Sequence, residues 1–369
     1  MDMEFTNYII YQVHVRNYSK AGTFKALEND LDRIKKLGVD ILYLMPIHEI
    51  GLIDRKGTYG SPYSIKDYYS ISPEQGNLDD LKSLIHKVHQ LDMKIILDMV
   101  FNHTSKDSLI LDKHPEYYYY KNGKLGNRVG DWSDIIDLDT TKIETQDYLV
   151  EVLKYWVKQG IDGFRFDVAS MVNINVFKKA REVLPIHTIF LAESIDTDFY
   201  HYLVSINDPV NSDKELSQYF DILYNYNYFR LLEKYLDNKI AIDELIDLIN
   251  KDDINRANCV ENHDVKRVAS LRKDDELLSL IEFSFYLRGN AFIYMGEEYK
   301  LSHRPDFFEK DVVQLNNNEK MYRFFQRLAL EKKKRGQIIK QNIKKISDHS
   351  MEVTLENNQK QIFKKIFKF

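Results

Sequence analysis

Eight short apolar segments rich in β-branched and aromatic residues recur along the chain, and longer amphipathic segments separate most of them. The apolar segments cover residues 8–15, 39–46, 94–100, 161–168, 187–194, 219–226, 256–264 and 290–298. Apolar residues spaced three and four apart predict helices over 23–38, 77–92, 143–160 and 274–289, with Asn77 as an N-cap. Strands that alternate with helices imply parallel β-α-β units. Eight such units predict an α/β fold, the (β/α)8 TIM barrel.

The remaining segments divide the chain into three regions. We predict a catalytic barrel from residues 1–100 and 140–335, because a chain of 369 residues is within the size range of a single barrel. Residues 101–139 are rich in Asn, Asp, Gly and Tyr, and we expect a short subdomain inserted after the third strand. Residues 336–369 contain two candidate strands, 350–356 and 360–369, and predict a reduced C-terminal β extension. The Lys/Arg-rich segment 330–337 is interpreted as the solvated end of a surface helix.

Composition excludes several classes of protein. A single cysteine, Cys259, rules out an internal disulfide and a cysteine-rich zinc site. The net charge is −5 without a block of like charges, which disfavours nucleic acid and anionic membranes as partners. The first ten residues show no basic region followed by an apolar stretch, and no segment approaches ~20 uninterrupted apolar residues. We therefore expect a cytoplasmic protein.

Polar residues concentrate at the ends of the predicted strands, where barrel enzymes carry their chemistry. They are Asp98, Asn102 and His103 after the third strand, Arg165 and Asp167 in the fourth, Glu193 in the fifth, and Glu261, His263 and Asp264 in the seventh. We expect Asp167, Glu193 and Asp264 to converge over one barrel mouth. Crowded carboxylates shift one another's pKa values. Two carboxylates with different tasks at one bond are the requirement for glycoside hydrolysis.

The segment 163–168, GFRFDV, places two charges in an otherwise apolar strand. Arg165 and Asp167 are two residues apart and share one face of the strand. We expect Arg165 to hold Asp167 ionised, as a nucleophile requires. Glu193 has no cation beside it in the sequence, so we expect a raised pKa that suits a proton donor. A single Arg–Asp pair is more often a structural ion pair, but the joint pattern at several strand ends favours a catalytic site.

Seven segments resemble the α-amylase family of glycoside hydrolases. Four resemble its conserved regions: DMVFNH (98–103), GFRFDV (163–168), FLAE (190–193) and VENHD (260–264). Three further segments support the resemblance: GVDILYLMP (38–46), IIDLDTTK (135–142) and NAFIYMGEE (290–298). They occur in the family's order, and the resemblance covers the chain from about residue 8 to about residue 335.

The resemblance implies a role for each matching residue. Asp167 is similar to the nucleophile, Glu193 to the general acid/base, and Asp264 to the third carboxylate that holds sugar hydroxyls. The implied substrate-binding residues are Tyr63, Asp98, His103, Arg165, His263 and Arg267. The implied mechanism is retaining, with the carboxyl groups of Asp167 and Glu193 about 5–5.5 Å apart.

The resemblance implies no cofactor for the chemistry, but it raises the question of a structural calcium. Asn102 and Asp137 match positions that bind calcium in many amylases, and oxygen ligands suit that ion. Ordinary hydrogen bonding within a loop is the alternative interpretation. After the nucleophile, residues 168–171 read VASM instead of the commoner Lys-His pattern, and Val168 resembles members that act on α-1,6 links or short oligosaccharides.

The favoured hypothesis is a hydrolase that cleaves α-glucosidic bonds of maltooligosaccharides or related α-glucans through a covalent glycosyl-enzyme intermediate. A glucanotransferase or sugar isomerase would use the same intermediate and is the first alternative. A non-catalytic carbohydrate-binding homologue is disfavoured because all three acids are present. A metal-dependent hydrolase is disfavoured because His103 and His263 lack the paired spacing of metal ligands. The sequence does not predict the oligomeric state.

Overall fold

Eight parallel strands close into a barrel in the computed structural model, which confirms the predicted fold class. The strands are β1 (Ile9–Val13), β2 (Ile41–Leu44), β3 (Lys94–Met99), β4 (Gly163–Phe166), β5 (Ile189–Ala192), β6 (Ile222–Tyr224), β7 (Arg256–Asn258) and β8 (Asn290–Tyr294). Each strand pairs with its successor in the chain, and β8 pairs with β1. The strands are shorter than predicted, above all β6 and β7. Asp98 and Arg165 lie within strands, whereas the other polar residues expected at the ends of the barrel strands lie after them.

The structure describes residues 5–130, 132–315 and 318–369. Residues 1–4 lie outside this set. They belong to the predicted barrel and to the N-terminal segment in which no signal peptide was recognised. Position 131 of the predicted insertion and positions 316 and 317 of the predicted barrel also lie outside it.

Helices follow most of the barrel strands. They are Val15–Tyr18, Phe24–Glu28, Leu31–Lys36, Leu78–Gln90, Leu109–Lys113, Ile143–Lys158, Ile174–Val183, Thr197–Ser205, Asp213–Leu216, Tyr226–Leu236, Ile242–Lys251, Val268–Leu271, Asp274–Tyr286 and Glu319–Arg335. Short 3-10 turns cover Pro115–Tyr117, Ala169–Met171 and Glu297–Tyr299. Asn77 caps its helix as predicted, through a capping box with Asp80. The helix predicted over 23–38 is instead broken at Asn29 and Asp30, residue types that favour helix ends. No helix among the described residues has the length and apolar character to cross a bilayer.

Side chains of each barrel strand alternate between its two faces, and the two faces contribute to two separate apolar clusters. Phe164 and Phe166 of β4 pack outward in the cluster shared with the helices. Residues such as Tyr43 and Leu191 form a second cluster. Arg165 lies between the two phenylalanines in sequence and so faces the barrel interior. Gly163 allows β4 and β5 to approach, because a Cβ atom there would lie 2.3 Å from the carbonyl oxygen of Ile189.

Small two-stranded sheets lie in the segments that follow β2 and β3. Glu49–Ile50 pairs with Ile65–Asp67 in the excursion after β2. After β3, His103–Ser105 pairs with Ile135–Asp137, and Tyr120–Lys121 pairs with Lys124–Leu125. The last two pairs lie within the range predicted for the inserted subdomain.

The C-terminal region forms three antiparallel strands, β9 (Ile338–Ser347), β10 (Ser350–Asn357) and β11 (Ile362–Lys368). The sequence predicted only the last two. β9 was missed because it buries few of its residues, Ile338 and Ile343 among them, and otherwise presents mainly polar side chains. The solvated helix end predicted over 330–337 is also partly wrong. Lys332 is buried and donates to the carbonyl oxygens of Phe285 and Leu287, and burial lowers its pKa.

Candidate active site

Three carboxylates from different strands open onto one cavity of about 990 Å³ at the C-terminal end of the barrel. Asp167 follows β4 directly, Glu193 follows β5 directly, and Asp264 lies in the loop after β7. The convergence predicted from strand ends is therefore present. The Asp167 and Glu193 side chains are 11% and 10% exposed, whereas Asp264 is 41% exposed.

The Arg165 guanidinium joins the carboxylates at the cavity floor. Its Nη1 donates to Asp167 Oδ1 at 2.9 Å and to Asp98 Oδ1 at 2.8 Å. Asp98 is its register partner on β3, so both side chains face the interior at the same height. Its Nη2 lies 3.0 Å from Glu193 Oε2. Glu193 has no cation beside it in the sequence, but β5 brings it beside Arg165, which lies 28 residues earlier in the chain.

Asp167 is subject to opposing electrostatic effects. Burial raises its pKa well above the usual value, and the nearby Glu193 raises it further. Arg165 lowers it, as expected, but does not outweigh burial. Arg165 therefore favours the ionised form of Asp167, as expected. The pKa of Asp167 is nevertheless raised overall, because burial outweighs the effect of Arg165.

Val168 links the two catalytic candidates through its backbone. It adopts φ 35° and ψ 48°, a left-handed conformation that is unfavourable for a β-branched residue. In this conformation its N–H donates to Glu193 Oε2 at 2.7 Å. Strain of about 1–3 kcal/mol at such a position is typical of functional sites, where surrounding contacts enforce it.

Asp98 lies beneath the cavity. Its Oδ2 accepts from the hydroxyls of Tyr43 at 2.5 Å and Tyr63 at 3.1 Å. Burial raises its pKa to about 6, against the lowering effects of Arg165 and Tyr43. Asp98 is fully buried, so it supports Arg165 and Tyr63 from below.

A chain of hydrogen bonds holds the ring of His263, which belongs to the segment VENHD (260–264). The amide nitrogen of Gln12 lies 2.8 Å from His263 Nδ1, which accepts because an amide nitrogen only donates. Burial lowers the pKa of His263 to about 3, so the neutral ring carries its proton on Nε2. That atom lies 2.6 Å from the Tyr63 hydroxyl and 3.3 Å from Asp264 Oδ2. The rings of Tyr63 and His263 stack at 5.5 Å.

Tyr226 connects two of the carboxylates and was not singled out from the sequence. Its hydroxyl lies 3.1 Å from Glu193 Oε1 and 3.2 Å from Asp264 Oδ2, and it accepts from the Asn262 amide at 3.0 Å. A signal for Tyr226 was available, since it ends the strand predicted over 219–226, two residues after Tyr224. In the structure it begins the helix that follows β6.

Aromatic rings make up much of the cavity wall. They are Tyr63, Trp132, Phe199, Tyr226, Phe307 and Phe308. His103 also lines the cavity, and burial lowers its pKa to about 4. Charged side chains such as Lys56, Arg230 and Arg304 line the cavity as well. Aromatic faces together with carboxylates and other polar groups are suited to a ligand with apolar faces and many hydroxyl groups.

Three residues of the predicted substrate-binding set do not reach the cavity. Asp98, Arg165 and Arg267 are fully buried, so direct contact with a substrate is corrected to a supporting position. Arg267 donates to Glu261 Oε1 at 2.6 Å and to the Met295 carbonyl oxygen at 2.7 Å.

The two candidate calcium ligands also lie outside the cavity. Asn102 and Asp137 are both buried and both hydrogen-bond to Arg128.

Comparisons of the sequence and of the structure with known proteins agree on one family. The family model described as "Alpha amylase, catalytic domain" matches residues 13–132, 129–203 and 218–350. Among curated proteins, Alpha-amylase 3 of Dictyoglomus thermophilum is 26% identical over 86% of this chain. Probable oligo-1,6-glucosidase 3 of Bacillus subtilis is 23% identical over 80% of it. The aligned parts span 69% and 65% of those relatives, so part of each relative has no counterpart here.

Solved structures agree. An alpha-amylase from Lactobacillus plantarum is 37% identical with a TM-score of 0.90, covering 95% of this chain and 85% of that one. A maltogenic alpha-amylase from Thermotoga neapolitana is 29% identical with a TM-score of 0.86, covering 98% of this chain and 86% of that one.

Proposed function

The chain belongs to the alpha-amylase family of glycoside hydrolases, and from that premise we propose that it is a retaining hydrolase of α-glucosidic bonds in maltooligosaccharides or related α-glucans. As a member it is an α-glycosidase. The observation that carries the proposal is the meeting of Asp167, Glu193 and Asp264 at one cavity lined by aromatic rings.

The strand register supports the retaining mechanism. Phe166 of β4 pairs with Ala192 of β5, so Asp167 and Glu193 are the next residues on adjacent strands. Neighbouring strands lie about 4.8 Å apart. Both side chains also contact the Arg165 guanidinium, at 2.9 and 3.0 Å, which keeps the two carboxylates side by side. In the retaining mechanism one carboxylate attacks and the other donates a proton at a separation of about 5–5.5 Å.

In the proposed reaction Asp167 attacks the anomeric carbon while Glu193 protonates the departing glycosidic oxygen. The bond from carbon to the leaving sugar breaks as the bond to Asp167 forms. Glu193, now ionised, takes a proton from water, whose oxygen displaces Asp167 and restores both groups. Arg165 favours the ionised nucleophile, and the Val168 N–H orients Glu193.

The remaining groups would hold the sugar. Asp264, whose side chain is 41% exposed, can accept from a sugar hydroxyl, whereas the Nε2–H of His263 donates to the Tyr63 hydroxyl and so positions the Tyr63 ring. The Tyr63 ring offers a surface for an apolar sugar face. The named relatives include an alpha-amylase and an oligo-1,6-glucosidase, so both α-1,4- and α-1,6-linked oligosaccharides belong in the substrate test.

The test is digestion of a panel of α-1,4 and α-1,6 oligosaccharides, with products resolved by size. The proposal expects shorter sugars from at least one linkage, and none from the Asp167→Asn variant. Longer sugars as the main products would instead indicate transfer to a sugar acceptor. No turnover of any α-glucan in the panel would contradict the proposal.

A further inference from the structure

Arg128 occupies the position between the two residues that resemble calcium ligands. Its Nη2 donates to Asn102 Oδ1 at 2.5 Å and to the Met171 carbonyl oxygen at 2.9 Å. Its backbone N–H donates to Asp137 Oδ2 at 2.7 Å, and its Nε lies 3.7 Å from the same oxygen. The Arg128 side chain is only 10% exposed.

These residues do not fit a calcium ion. Calcium requires six to eight oxygen atoms at about 2.3–2.6 Å, free to point at the ion. Here the Asn102, Met171 and Asp137 oxygens already accept from Arg128, and an ion among them would lie against a permanent positive charge. Among the described residues, no group of three His, Cys, Asp or Glu side chains could hold a metal.

We propose that the Arg128 guanidinium takes the place of the structural cation and makes the fold independent of calcium. The guanidinium donates to Asn102 Oδ1 and to the Met171 carbonyl oxygen, and its positive charge lies beside the Asp137 carboxylate, where an ion would otherwise lie. Arg128 therefore acts as a positioning residue. This inference does not depend on which glycosidic bond the enzyme cleaves.

The contacts of Arg128 join three parts of the cavity wall. Asn102 precedes His103, and its amide lies 3.2 Å from His103 Nδ1. Asp137 belongs to the strand that pairs with His103–Ser105. Met171 ends the turn that follows Asp167 and Val168. A single side chain thus holds the loop after β3 against the turn that carries the nucleophile.

The experiment measures the melting temperature of the full chain in excess EDTA and in millimolar calcium. We expect the two values to agree for the wild type. Arg128→Ala removes the donors to Asn102 Oδ1 and to the Met171 carbonyl oxygen, together with the charge beside Asp137, so we expect a melting temperature several degrees lower, part of which calcium restores. In Arg128→Ala/Asp137→Asn the carboxylate is lost, and calcium should have no effect.

Arg323→Ala is the matched control, because Arg323 is 74% exposed on the C-terminal helix. It should keep the wild-type melting temperature in both conditions. Arg128→Gln has a side chain that can hydrogen-bond but no charge. If the alanine variant does not fold, Arg128→Gln replaces it, and we again expect a lower melting temperature that calcium partly restores.

Two results would overturn the inference. A wild-type protein whose melting temperature falls in EDTA and recovers with calcium holds a metal despite Arg128. An Arg128 variant whose melting temperature matches the wild type, or which shows no response to calcium, would mean that the guanidinium does not stand in for a cation.

Discussion

His48 offers a clean test of how burial controls charge near the barrel. It lies beyond the end of β2, is 1% exposed, and packs edge-on against the rings of Tyr68 and Trp156 at 6.0 and 5.5 Å. Neither ring nitrogen has a hydrogen-bond partner among the described residues. Burial alone lowers its pKa from 6.5 to about 3.

The direction of the pH effect follows from proton binding. Between about pH 6.5 and pH 3 the unfolded chain protonates His48 and the folded chain does not. The contribution of neutral His48 to stability is therefore complete above pH 6.5 and is lost as the pH falls toward 3. For a pKa of 6.5 unfolded and about 3 folded, the loss between pH 8 and pH 5 is about 2 kcal/mol.

The perturbation is His48→Leu, which has similar volume and no nitrogen to desolvate. We expect the variant to be at least as stable as the wild type at pH 8, because both nitrogens are buried without partners. At pH 5 its advantage should grow by about 2 kcal/mol. Urea unfolding of both proteins at the two pH values measures this change.

The control is His349→Leu, at an exposed position, which should show no such pH-dependent gain. An equal free-energy difference between wild type and His48→Leu at pH 8 and pH 5 would refute the reasoning. It would mean that the folded protein accommodates a charged His48.

Three further predictions concern the site, with the kinetics checked on a chromogenic maltooligosaccharide. Asp167→Asn should lower kcat by on the order of 10⁴-fold, and Asp264→Asn should also strongly reduce kcat. Both variants should keep the circular dichroism spectrum of the wild type. Activity that survives either substitution would mean that the role of that residue is misassigned. Tyr226→Phe removes a hydroxyl that contacts two carboxylates and should lower kcat/KM about 10- to 100-fold, whereas an unchanged value would make the hydroxyl dispensable. Arg165→Met leaves Asp98, Asp167 and Glu193 without their cation and should destabilise the fold by about 3–5 kcal/mol in urea unfolding; no loss would contradict the ion-pair geometry.

The sequence predicted the parts of the fold that depend on local periodicity. Alternation of apolar strands with amphipathic helices was sufficient for the barrel, and strand ends were sufficient for the convergence of Asp167, Glu193 and Asp264. Both follow from rules that act over a few residues and from the geometry of parallel strands.

What the sequence did not predict depends on contacts between distant segments. The approach of Arg165 to Glu193 is set by the register of β4 and β5. The position of Arg128 is set by how the loop after β3 packs on the turn after β4. The strand β9 has too few buried apolar residues to be recognised by alternation, because most of its side chains are polar or exposed.

The most direct test of the central proposal is to trap the glycosyl-enzyme intermediate. A 5-fluoro α-glucosyl fluoride forms the intermediate but slows its hydrolysis, and mass spectrometry of the digested protein locates the sugar. The account predicts one glycosyl group on the peptide that contains Asp167, and none in Asp167→Asn. A sugar attached to another residue, or turnover that inverts the anomeric configuration without any adduct, would contradict it.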